Sequence, residues 1–97
     1  MKKTPENIVK KQVKDWLYWR GWFSFHVLQG LGAYRGIPDR IAVKGGRVLF
    51  IEVKSKSGVL SDDQRRFKET IEAQGGYYII ARSCDDVEKY VEGLGAV

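Results

Sequence analysis

Apolar residues return every three or four positions at the start of the chain: Val9, Val13 and Trp16, with Leu17 beside it. That period puts them on one face of an α-helix over about residues 5–20. Thr4 supplies an N-cap and Pro5 the first helical position, where a missing N–H does no harm. Gly21 ends the helix. The pattern then changes to that of strands. WFSFHVL, Trp22 to Leu28, is aromatic and β-branched enough to predict one. QGLGAYRG follows as a glycine-rich loop, and PDRIAVK and RVLFIEVK are two strands joined by Gly45-Gly46, a two-residue hairpin turn. After SKSGVL, Ser61 opens a second helix, SDDQRRFKETIEAQ, closed by Gly75-Gly76. YYIIAR predicts a fourth, buried strand and DDVEKYVEGL a short last helix.

The order α-β-β-β-α-β-α describes an α/β fold, a mixed sheet flanked by helices in one domain over residues 1–97. The 77–82 strand should lie parallel beside the 47–54 strand, because the helix between them makes a crossover. No apolar run approaches the roughly 20 residues a membrane helix requires, and MKKTPENIVKK lacks the apolar stretch of a secretory signal. Cys84 is the lone cysteine, which excludes an internal disulfide and a cysteine-based zinc cage. A reducing cytoplasm is the expected location.

Net charge is +5, unevenly spread. Residues 1–60 carry 12 Lys/Arg against four acids, whereas residues 61–97 carry five against eight. A basic face for a polyanion such as nucleic acid follows. Acids within that basic part therefore call for a reason, and they are Glu6, Asp15, Asp39 and Glu52.

The hairpin supplies one. If Gly45-Gly46 is the turn, Lys44 faces Arg47 and Asp39 faces Glu52 on one face of the sheet. Lys54 shares that face, as do Ile41, Val43, Val48 and Phe50, so an apolar floor runs out into two carboxylates and an ammonium. Opposed like charges destabilise a half-buried pair. Either Lys54 offsets one of them as a structural ion pair, or a divalent cation sits between them. Oxygen donors with no His or Cys nearby favour Mg²⁺ or Mn²⁺. Glu6 lies on the core-facing stripe of the first helix. It is either a first-turn acid that suits the helix dipole or a third carboxylate reaching the ion or its waters.

At these residues the chain resembles the PD-(D/E)XK nucleases, with Pro38-Asp39 followed after twelve residues by Glu52-Val53-Lys54. The longer string RGIPDRI…IEVKSKSGVLSDDQRRF is similar to the VRR-NUC family, the virus-type replication-repair nucleases, including stand-alone phage and bacterial members, and to the nuclease domain of the Fanconi-associated nuclease. The resemblance spans about residues 5–82 and implies a restriction-endonuclease-like αβββαβ core. It implies that Asp39, Glu52 and the Val53 carbonyl are metal ligands. Lys54 would be the catalytic lysine, Glu6 the upstream acid and Gln64 the family's glutamine near the site. It further implies a homodimer that cuts four-way DNA junctions. A flap or nicking nuclease, and a nucleic-acid-binding module without catalysis, are the alternatives. Gln64 also fits a plain capping box with Ser61.

The rest of the chain offers a DNA surface. GLGAYRG is not spaced as a phosphate-binding loop and is expected to be a mobile loop carrying Tyr34 and Arg35 toward substrate. Lys10, Lys56 and Arg65 are candidate phosphate contacts, together with Lys11, Lys14, Arg66 and Lys68. His26 is expected to be a satisfied structural histidine and Trp16 a core residue. Trp19 and Trp22 are open to base stacking or subunit pairing.

Overall fold

The computed structural model describes residues 4–95. Its elements run α1 (Pro5–Trp19), β1 (Phe23–His26), β2 (Arg40–Lys44), β3 (Arg47–Val53), α2 (Asp62–Ala73), β4 (Tyr77–Ala81) and α3 (Cys84–Gly93). The four strands form one mixed sheet in the order β1-β2-β3-β4. β1, β2 and β3 pair antiparallel, and β4 lies parallel to β3, as the α2 crossover requires. No described helix is long and apolar enough to cross a membrane.

Local chemistry sets the boundaries. Thr4 Oγ1 accepts from the Asn7 N–H at the start of α1. At its end Gly21 adopts φ +82° and the Trp22 N–H returns to the Leu17 carbonyl, a Schellman closure. That closure turns Trp22 inward, where it is buried, so β1 starts one residue later than expected. Gly45 and Gly46 both have positive φ, as a type I′ hairpin turn demands. Lys44 accordingly faces Arg47, in the expected register. Ser61 and Ser83 close capping boxes on α2 and α3.

The two faces of the sheet differ. Ala42, Leu49, Ile51, Val53, Ile79 and Ala81 point toward α1 and α3 and are closed over by Val13, Leu17, Trp22 and Val87. On the other face, Phe67 of α2 packs edge-on against Phe50 and tilted against Tyr78. The apolar floor read from the sequence therefore belongs to the open face. Val48, Phe23 and Phe25 remain exposed on it and Ile41 and Val43 half-buried. Its polar end, at the C-terminus of β3, is where the candidate site forms.

Candidate active site

The hairpin ladder ends one pair short of the two acids. Arg40 and Ile51 are the last paired residues, and Asp39 occupies a bend before β2 rather than the strand itself. Pro38 explains the stop. Ladder alternation turns the main-chain groups of Val53 toward β2. Pro38, next in register, has no N–H to give the Val53 carbonyl. The Val53 N–H donates to the Asp39 side chain, Oδ2 accepting at 2.8 Å. The Asp39 carbonyl accepts from the Val27 N–H at 2.8 Å, so both ends of the residue are held. The Val53 carbonyl points to the same side as its N–H and meets no N–H from Pro38.

Glu52 completes the pair. Among the described residues, Asp39 and Glu52 are the two charged ones that are buried, at 8% and 3% exposure. Burial first, and then the Asp39 charge, pushes the Glu52 carboxyl up to about 7, against a smaller opposing pull from Lys54. Lys54 Nζ stands 3.7 Å from Glu52 Oε2, and Lys10 Nζ stands 3.6 Å from Asp39 Oδ1. Both are ion-pair separations, too long for good hydrogen bonds. Glu52 Oε1 is buried and has no hydrogen-bond partner among the described residues. A buried carboxylate oxygen without a donor is costly. Two lysines thus compensate the pair incompletely, and the donor set is all oxygen. These residues fit a hard divalent cation.

Glu6 comes to the same end of the sheet by another route. Its Oε1 accepts from the Ser55 N–H at 3.2 Å, tying the first turn of α1 to the residue after Lys54. Among the described residues no three acidic, His or Cys side chains gather closely enough to hold one ion. Three carboxylates do not gather around one point here. Asp39 and Glu52 stand together, and Glu6 is engaged by main chain beside them.

The remaining candidates divide. Gln64 Oε1 accepts from the Ser61 N–H at 2.9 Å, and the Gln64 N–H donates to Ser61 Oγ, so its side chain serves the α2 cap rather than the carboxylates. Tyr34 and Arg35 are exposed and line two clefts of about 250 and 810 Å³ that contain neither carboxylate. The loop bearing them is anchored rather than free. A Cβ on Gly36 would lie 2.2 Å from the Asp63 carbonyl, and Tyr34 packs edge-on against Phe67. Lys56 is exposed in the turn after Lys54, and Arg65 is exposed on α2 but paired with Asp62. His26 is exposed on the rim of a small cavity beside Lys10 and Asp39, not the satisfied histidine expected.

Two residues carry more than their sequence signal showed. Lys10 lies one helical turn after Glu6, a spacing that would have placed it at the site. Arg82 Nη1 donates to the carbonyls of Ser55, Lys56 and Gly58 and fastens the turn that follows Lys54. Nothing in its local sequence announces that role.

Comparisons with known proteins bear on the family and the fold. The sequence profile of the VRR-NUC domain matches residues 2–85. Among curated proteins the sequence has no match. A solved structure of a VRR-NUC domain superposes with a TM-score of 0.80 at 26% identity, covering 93% of this chain and 97% of that one. Hjc, a Holliday junction resolvase from the archaeal hyperthermophile Archaeoglobus fulgidus, is similar in fold. Its TM-score is 0.56 at 21% identity, over 75% of this chain and 64% of that one.

Proposed function

The chain belongs to the VRR-NUC domain family, and from that premise we propose that it is a Mg²⁺- or Mn²⁺-dependent endonuclease hydrolysing phosphodiester bonds in DNA. Within that class the proposal is a homodimeric resolvase of four-way junctions. One observation carries the catalytic reading: two buried carboxylates lie at one end of the sheet with one oxygen unpartnered, and Lys54, one residue past β3, stands next to Glu52.

Asp39, Glu52 and the Val53 carbonyl would hold the ion. When bound, such an ion supplies Lewis acidity toward a scissile phosphate and lowers the pKa of a water. The chain does the rest. The Val53 N–H and the Val27 N–H fix Asp39 in one orientation. Lys54, held near Glu52, brings positive charge to where the phosphate gains negative charge as water attacks phosphorus and the ester P–O bond breaks. Lys10 offsets Asp39 before substrate arrives. Glu6 and Arg82 fasten the Ser55–Gly58 turn, and with it the position of Lys54. Tyr34, Arg35 and Lys56 are exposed and would supply a surface for phosphates.

The test is cleavage of labelled junction, flap and duplex DNA, with and without Mg²⁺ or Mn²⁺. Asp39→Ala should lower metal-dependent cleavage by about 10³-fold or more while junction binding survives. A folded Asp39→Ala protein that still cuts at the wild-type rate would reject the assignment.

A further inference from the structure

Tyr78, on β4, is 3% exposed and its hydroxyl has no hydrogen-bond partner among the described residues. Its ring is accounted for. It faces Phe50 across the parallel ladder and packs against Phe67 of α2. The hydroxyl is not, since a phenylalanine would fill an apolar slot between those rings with no polar group to satisfy. Tyr78 lies on the same face as Glu52, one step along the ladder from the Glu52–Ile80 pair. After burial itself, the charges of Glu52 and then Asp39 push this hydroxyl above the ordinary phenol range, which places it within their field. Two buried, unpartnered polar atoms therefore belong to residues at neighbouring positions on one face of the sheet: a donor, Tyr78 Oη, and an acceptor, Glu52 Oε1.

Resting on the nuclease reading above, we infer that Tyr78 is a positioning residue of the carboxylate site, its hydroxyl holding a water shared with Glu52. Partners of this kind orient the groups that bind an ion, and losing one typically lowers metal affinity or activity by about 10–100-fold. A tyrosine is neutral near pH 7 and can donate, so it adds no charge to a pair already rich in it.

Tyr78→Phe tests this, because it removes the hydroxyl and keeps the ring. Mn²⁺ affinity of the otherwise intact protein is measured by titration calorimetry, thermal stability by calorimetric melting, and junction cleavage by single-turnover kinetics. The expected result is Mn²⁺ binding weakened about tenfold and a slower cleavage step, with junction affinity and metal-free melting temperature held or raised. Unchanged Mn²⁺ affinity and cleavage would overturn the inference. So would a lowered melting temperature with a parallel loss of all functions, which would mark Tyr78 as a packing residue. Wild-type protein that neither binds Mn²⁺ nor cleaves would sink the nuclease reading first, and this inference with it. A wild type that cleaves beside an unaltered Tyr78→Phe overturns the inference alone.

Discussion

Without a cation, raising the pH forces a second negative charge onto a buried pair, and the consequence can be followed at Glu52. Its ordinary carboxyl value is 4.5, and in the folded chain it is pushed up to about 7. The folded state therefore holds the proton more tightly than the unfolded chain does. The resulting stabilisation is full below pH 4.5 and is lost as pH rises toward 7. In metal-free protein, Glu52→Gln should melt close to wild type at pH 5. At pH 8 it should be more stable by about 2 kcal/mol, allowing for solvent screening, which differential scanning fluorimetry across pH would resolve. A variant gain that did not grow with pH would show that Glu52 is not the strained carboxyl. Asp39, Glu52 and Lys54 were legible in the sequence because a two-residue turn fixes facing positions by counting. Arg82 was not, since its partners are brought to it by packing between distant elements, and Lys10 was read only as a phosphate contact although its spacing from Glu6 places it at the site.

Elements were legible for a similar reason: period, caps and glycines are local signals. The αβββαβ order, the parallel β4 and the hairpin register all follow from them. What the sequence misjudged depends on contacts between elements. The loop with Tyr34 and Arg35 looks mobile by composition, yet Gly36 is pressed onto the first turn of α2. Its φ is +81°, and a Cβ would meet the Asp63 carbonyl at 2.2 Å. Gly32 also has positive φ but nothing lies within 4 Å of its missing Cβ. The two glycines separate backbone strain from steric contact. Gly32→Ala should cost about 1 kcal/mol, whereas Gly36→Ala must also displace the loop from α2 and should cost about 3 kcal/mol. Urea unfolding of both variants measures the difference. Equal losses would mean the loop does not rest on α2. Gln64 shows the same limit in reverse. Its spacing suits both a cap and a site, and only the hydrogen bond to Ser61 assigns its side-chain oxygen.

At the scale of the whole molecule, charge asymmetry becomes a division of labour. Half of the acids of α2 and α3 are answered within their own helices, by Arg65, Arg66, Lys68 and Lys89. Lys14, Arg35 and Lys56, from the basic part of the chain, form no ion pair among the described residues and remain available to phosphates. One chain nevertheless holds one Asp39–Glu52 pair, and resolving a four-way junction needs two cuts on strands of like polarity. The proposed activity therefore requires two chains related by a two-fold axis. Trp22 is buried and plays no part in joining them, whereas Trp19 is 80% exposed. Sedimentation of the protein with junction DNA at low salt should give two chains per junction, with paired symmetric cuts. Raising salt from 50 to 200 mM should weaken the complex by about 10³-fold or more, as counterion release by six or more phosphate contacts dictates. One chain per junction with a single nick would instead favour a flap or nicking nuclease, because a monomer with one carboxylate pair cuts one strand per encounter.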